Sequence, residues 1–362
     1  MSERPISFSA VYSARPTIQI DQQSYDKVSE LLIGMDITEQ EGGLSSLQLR
    51  LSNVASDPSG GASFAFEDGS IVTLGKSILV FAGPVSTPME IFRGMITGVE
   101  AEFREEGPPE LLVLAEDAAQ QARMARRTKT YDELSLADLA QAVADSLGLQ
   151  LIVTGFSDRV GTWMQLNESD LAFLRRVLER YDGDVQVVGD ELHVSPRDEV
   201  RRGTVELRMH SQLRGVRVMA DLAHQTTKVT VAGWDVAQGS RLTAESTGAH
   251  QGPGEGSTGA EWLGRASIER TEHIGHAAVR TQNEAQALVD STFDQRARRF
   301  VCLEGMADGN PEIRVGTHVT ISEIGPRFSN TYYVTRATHR YDLEVGYRTQ
   351  FEAECAYWGE RA

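Results

Sequence analysis

Cysteine is nearly absent: the 362 residues contain two, Cys302 and Cys355. They lie far apart without a CxxC setting, which gives no disulfide framework and no zinc site, although a single bridge between them stays open. Set in Phe-Val-Cys-Leu and Ala-Glu-Cys-Ala, both read as small buried residues. Long apolar runs are missing too. None approaches the ~20 residues of a membrane helix, and Met1-Ser2-Glu3-Arg4-Pro5 offers no apolar core for a secretory signal. The expectation is a protein assembled in the cytoplasm, with no membrane partner. Positive charge is in short supply: 35 Lys and Arg stand against 52 Asp and Glu, a net charge of −17. That balance argues against direct nucleic-acid binding, which normally needs a basic face. The cluster Arg123, Arg126, Arg127 and Lys129 is short and reads as a solvated or interface patch.

Signatures of chemistry are equally sparse. There is no GxSxG elbow, no Walker loop and no GxGxxG between a strand and a helix. His273-x-x-His276 has helical spacing but lacks a third placed ligand, so exposed histidines are expected there. His193, His318 and His339 sit in or beside strands and read as structural. Carboxylates are plentiful, yet Glu105-Glu106, Glu116-Asp117, Asp182 and Asp184 fall on helix faces or in turns. A glycosidase needs two fixed carboxylates roughly 5 to 9.5 Å apart, and nothing in the sequence supplies that geometry. No catalytic, cofactor-binding or metal-binding residue is assigned, no cofactor is expected, and the chain is not expected to be an enzyme.

What is present is strand pattern. A chain of this length suggests two or three domains. Ile6, Phe8, Ala10 and Tyr12 alternate, as does Thr17–Ile20. Further strands are expected at Leu47–Leu51, Ile78–Phe81, Phe92–Val99 and Glu110–Ala115. Gly42-Gly43, Asp57–Gly61 and Gly83-Pro84 separate them. Many short strands with regular breakers predict a barrel or sandwich. The period then changes. Ser135 can cap a helix carrying Leu136, Leu139, Val143 and Leu147 on one face, stopped by Gly148. Gln165 to His193 is the most informative stretch. Asn167 can cap a helix, with Asp170 as the reciprocal partner. Leu171, Leu174, Val177, Leu178 and Tyr181 form one apolar stripe, and Gly183 stands where a left-handed residue would end the helix. Val185 and Val187, a Gly189-Asp190 turn, then Leu192 and Val194 predict a small hairpin.

Alternation returns at Val205–Met209, Val216–Val218 and Val229–Asp235. Thr243 to Gly264 carries glycines at 248, 252, 254, 256, 259 and 264 and no apolar face, which predicts a mobile loop. A helix follows near 281–299, with Thr281 and Glu284 as capping partners, and then strands at Val319–Ile321, Tyr332–Thr335 and Thr349–Glu352. One internal echo stands out. Leu74-Gly75-Lys76-Ser77-Ile78-Leu79-Val80 parallels Val315-Gly316-Thr317-His318-Val319-Thr320-Ile321. Under the same offset Phe92 falls on Tyr333. Two related β-barrels in one chain would produce such an echo.

Three stretches also carry a resemblance. Ser169-Asp170-Leu171-x-Phe173-Leu174-Arg175-Arg176-x-x-Glu179-Arg180 leads to a hairpin that ends Leu192-His193-x-x-Pro196. Gly309-Asn310-Pro311-Glu312-Ile313-Arg314-Val315-Gly316 precedes Arg327–Thr335, His339-Arg340-Tyr341 and Gly346-Tyr347-Arg348-Thr349-x-Phe351. Phe92-Arg93-Gly94-x-Ile96-Thr97 comes earlier in the chain. In this order they resemble the phage late-control protein D family. That family includes baseplate hubs of contractile tails and the N-terminal part of VgrG-type spike proteins. The resemblance implies a mainly β fold with an α+β insert: two tandem β-barrels related by an internal repeat, plus a small helix-hairpin domain. The expected divisions are 1–116 for the first barrel, 117–203 for the insert and 204–362 for the second barrel. It further implies a structural hub. A homotrimeric ring would join a hexameric inner tube protein to a central spike, among other baseplate components of a phage tail or phage-tail-like particle. Ala362 comes soon after the last match, so the spike is expected to be a separate polypeptide. A β-scaffold cell-wall hydrolase and a carbohydrate-binding module are the alternatives.

Overall fold

Period-two burial builds most of this molecule. In Ser46–Ser52 the three leucines point inward while Gln48 and Arg50 face outward. The computed structural model describes residues 15–56, 61–84, 86–235, 238–275 and 277–359. The strand expected over Ile6–Tyr12, most of the turn at 57–61 and His276 lie outside them. A sheet of thirteen strands runs through the described residues.

Within that sheet the chain repeats itself. Strands Leu32–Gln40, Ser46–Ser52, Ser77–Ala82, Met89–Glu102 and Glu110–Glu116 recur in the same chain order as Leu213–Ala220, Val301–Asp308, Thr317–Ser322, Asn330–Asp342 and Gly346–Cys355. The hydrogen-bonded neighbours correspond throughout: first to second, second to fifth, fifth to fourth, fourth to third. Two of the irregularities correspond as well, whereas the slip between Val80 and Phe81 has no counterpart in the second repeat. The first two strands slip register between Leu32 and Gly34 in one repeat and between Leu213 and Gly215 in the other. The fourth slips between Ile96 and Gly98, and between Val334 and Arg336. The bulged residue is a threonine both times. Thr97 donates its hydroxyl to the Leu114 carbonyl at 3.5 Å, and Thr335 to that of Glu352 at 3.3 Å. Bulges are placed features of a sheet, so matching sets mark one architecture used twice.

The echo seen in the sequence is the entry to the third strand. Gly75 and Gly316 both have φ +86°. Their amides donate to Ile96 and Val334, at 2.9 and 3.0 Å. The constant offset ends there. The second hairpin is shorter, so Phe92, which pairs with Val80, corresponds to Asn330, which pairs with Ile321, and not to Tyr333.

The repeats are joined edge to edge. Strand Asn330–Asp342 pairs with Gly346–Cys355 and, along its second half, with Leu32–Gln40, Thr338 lying opposite Thr38. Tyr341 and Tyr347, at the tip of the second repeat's hairpin, are therefore buried in the first repeat's core beside Ile37 and Leu49. In the second lobe Gly203–Arg208 runs parallel to Thr317–Ser322, and a bridge between Met209 and Leu213 leads back to the lobe's first strand.

Between the repeats lie helices Leu136–Leu147 and Asp170–Glu179, the sheet of Gln150–Val153, Gly183–Val188 and Glu191–Pro196, and a ribbon of Arg126–Tyr131 with Trp163–Ser169. Ser135 caps the first helix and Gly148, φ +67°, ends it, as expected. The second begins later than its sequence suggested. Ser169, not Asn167, is the cap, and its hydroxyl accepts from the Ala172 amide at 3.2 Å. Strand pairing with Arg126 and Arg127 continues through Glu168 and Ser169, so the backbone is not free to turn at Asn167. At the other end Asp182, φ +50°, takes the left-handed position, and Gly183 already belongs to the next strand.

The second repeat holds a further layer between its first two strands: a sheet of Lys228–Asp235, Ser240–Ser246 and Thr271–Ile274, covered by helix Gln282–Arg298. It corrects the reading of 243–264 as a loop. Thr243 to Ser246 complete a strand paired with Val229–Asp235, and Gly259–Arg265 is a helix closed by a Thr258–Glu261 capping box. Some of the glycines mark close packing. A Cβ on Gly254 would meet Cys355 Sγ, and one on Gly256 the Gly359 carbonyl. The cysteines are also corrected. Cys355 is buried, but Cys302 alternates with Val301 and Leu303 onto the outer face, and both are free thiols.

Candidate functional site

The parts of the chain meet at a groove of about 880 Å³. It contains a chain of ion pairs drawn from each of them. Arg197, in the turn that follows Glu191–Pro196, is buried; its guanidinium lies 3.0 Å from the Tyr333 ring centroid. Its Nε donates to Glu41, just beyond strand Leu32–Gln40, and its Nη2 to Glu354 of the second repeat at 2.9 Å. Burial opposes the charge on Arg197, but Tyr333, Glu41 and Glu354 outweigh it and hold the guanidinium above its ordinary range. At the end of helix Gln282–Arg298, Arg298 donates to both Asp182 oxygens at 2.6 and 2.7 Å and stands 3.5 Å from Glu354. Arg202 pairs with buried Asp184. Arg197, Arg298 and Asp184 are buried, so leaving any of these charges without its partners would be costly, and the network ties the parts of the chain together. Glu41, Glu354, Asp182 and Asp184 are each paired with an arginine.

A second polar cluster lies under the seam between the repeats. Glu39 is buried and ion-paired to Arg314. His339, fully buried, bonds through Nδ1 to the Tyr347 hydroxyl at 2.8 Å and leaves Nε2 without a protein partner. Burial depresses it to about 4, against the pull of Glu39. Asp117 is shifted the other way. Burial raises it to about 6, although the Ser45 and Ala119 amides donate to it at 2.6 and 2.9 Å.

The two shifts have opposite consequences for stability. Between pH 6.5 and 4 the unfolded chain protonates His339 first, so acidification costs stability there, by about 3 kcal/mol. Between pH 6 and 4 the folded chain protonates Asp117 first, so acidification adds a contribution of similar size, about 3 kcal/mol. In the wild type these two contributions offset each other across this window. Asp117→Asn should become steeply less stable on acidification, and His339→Gln should become more stable. Urea denaturation at pH 4, 5, 6 and 7 measures both, and parallel profiles for the two variants would contradict the assignment.

The remaining histidines do not gather. His193 bonds to Glu191 at 2.8 Å, and His318 is half-buried, its pKa lowered by burial. His273 belongs to strand Thr271–Ile274, is exposed as expected and contacts Thr230 at 3.1 Å, while His276 lies outside the described residues. Among the described residues no three His, Cys, Asp or Glu side chains group as metal ligands. The outer face of the shared sheet carries both signs in cross-strand pairs. Arg340 bonds to Asp36 at 2.6 Å, Arg214 to Asp308 at 2.6 Å, and Arg336 to Glu352 at 3.3 Å.

The fold is the one that the resemblance to late-control D and baseplate-hub proteins implied, and it is found in tail proteins of known structure. The chain is similar to the 43 kDa tail protein of prophage MuSo2 from Shewanella oneidensis, with a TM-score of 0.70 and 13% identity over 94% of this chain and 98% of that one. It is similar to a tail protein from Neisseria meningitidis MC58, with a TM-score of 0.68 and 11% identity over 95% and 97%. The E. coli c3393 protein, a component of the type VI secretion system, has a TM-score of 0.56 and 11% identity over 95% of this chain and 79% of its own. No curated relative matches the chain. The chain belongs to the family described as the Alg8 N-terminal domain, whose model matches residues 33–342. That span opens in the first strand of the first repeat and closes at the end of the second repeat's fourth strand.

Proposed function

We propose that this chain is a structural hub of a contractile injection machine. Three copies would form a ring that joins a hexameric inner tube to a central spike. The observation that carries this reading is the duplication: each chain holds two five-strand units with the same order and two bulges in common. Three chains then offer six similar units to a sixfold tube while keeping threefold symmetry for the spike. The tail-protein fold supports the same setting. In this proposal residues 1–116 and 204–362 are the barrel units and 117–203 the insert between them. The partners are further copies of the chain, the tube protein, the spike and other baseplate components. The particle is assembled in the cytoplasm, and the role is structural, with no hydrolysis. No helix of the described residues is long and apolar enough to cross a membrane.

Light scattering of the purified chain, alone and with the spike and tube proteins of its own particle, tests this. The expected result is a closed threefold assembly through head-to-tail contacts. A strict monomer in the presence of both partners would overturn the reading.

A further inference from the structure

Ribbon Arg126–Tyr131/Trp163–Ser169 stands apart from the other sheets. Among the described residues, each of its strands pairs only with the other. One strand is exposed from Arg126 to Thr130. The other alternates buried Trp163 and Gln165 with outward Met164 and Leu166, which are 52% and 57% exposed. Met124, at the end of the preceding helix, is 67% exposed. By strand register Arg126 alternates onto this apolar face with Thr128 and Thr130, in a chain of net charge −17. Arg127 and Arg123 have carboxylate partners, Asp170 and Glu116. Arg126 bonds to the Asn167 carbonyl and has no carboxylate partner among the described residues, whereas Lys129 belongs to the opposite face with Tyr131, over whose ring it lies.

The complement to this face exists on the same chain. The hairpin tip between Met89–Glu102 and Glu110–Glu116 carries exposed Glu100, Glu105 and Glu106, none with a cationic partner among the described residues. The same tip carries Phe103, 63% exposed and edge-on to Phe64, and exposed Val99. Acidic-aromatic tip and basic-aliphatic ribbon match in charge and in apolar content. Within one chain, no ion pair joins the two among the described residues.

We propose that the ribbon is the docking face for the 99–110 hairpin tip of a second copy of this chain. The contact is head-to-tail, so it can close a ring. It rests on the ring reading above and assigns that ring an interface. Charge pairing around an apolar centre sets the register and excludes a ribbon-to-ribbon contact, where cations would oppose cations.

A charge exchange on the full-length chain tests it. Arg126→Glu, and separately Glu105→Lys with Glu106→Lys, should each raise the dissociation concentration by about tenfold or more in light scattering. All three changes in one chain should restore assembly. Thermal melts followed by circular dichroism should be unchanged, since all three residues are exposed. Variants that assemble as wild type does overturn the docking face alone. Loss in both variants without rescue overturns the pairing. A wild type that stays monomeric with the spike and tube proteins present overturns the ring reading and this inference with it.

Discussion

Arg197→Ala is expected to destabilise the protein by about 3–5 kcal/mol, the range for breaking a buried ion pair from one side. The substitution removes the partner shared by Glu41 and Glu354 and uncovers the Tyr333 ring. Arg298 still reaches Glu354, at 3.5 Å, so the larger penalty should fall on Glu41. Replacing Arg197 by Met together with Glu41→Gln and Glu354→Gln should recover much of the loss, because no charge is then left unpaired. Urea unfolding of the three proteins decides the matter. A single variant within ~0.5 kcal/mol of wild type would mean that the junction is solvated and not a fixed network. Since Arg197 connects the insert to both repeats, the same variant should also lower the cooperativity of unfolding.

Leu174→Ala is the second large effect, roughly 2–5 kcal/mol. Leu174 is fully buried in the cluster that includes Leu139, Val143, Phe173, Val177 and Val185. Helices Leu136–Leu147 and Asp170–Glu179 pack there against the three-stranded sheet, which leaves little room to collapse around a lost isobutyl group. Leu171→Ala, on the same stripe and buried almost as deeply, should behave alike. Arg175→Ala, on the opposite side, should cost far less; it loses bonds to the Gly42 and Gly43 carbonyls and no core contact. Comparable losses at Leu174 and Arg175 would contradict the packing described.

How far the sequence could be read depended on how local each cause was. The leucines of Ser46–Ser52, the cap and stop of helix Leu136–Leu147 and the stripe from Leu171 to Leu178 are set by period and by capping chemistry, and all were legible. Thr281 capping is legible too, except that Glu284 reaches back to the Arg280 amide and not to that of Thr281. The Gly-rich stretch was misread because its order comes from outside it. Asn330 ties Glu255 through its amide and carbonyl, and Val229–Asp235 supplies the strand partner. The junction network was not legible at all: Arg197 finds Glu41 and Glu354 across more than 150 positions in each direction.

By itself, the sequence determined that this is a β protein with a capped helical insert, that its chain echoes itself once, and that it holds no nucleophile, phosphate or metal motif. Those properties follow from side-chain period and short spacings, which act over a few residues. Only the tertiary structure decided how the repeats join. Leu32–Gln40 is the strand that links them, yet its inward positions include Glu39, and a buried carboxylate breaks the apolar alternation by which a strand is recognised. Arg314, 275 positions away, neutralises it. Burying a charge is tolerated only when its partner is already in place, and that partner is supplied by the fold.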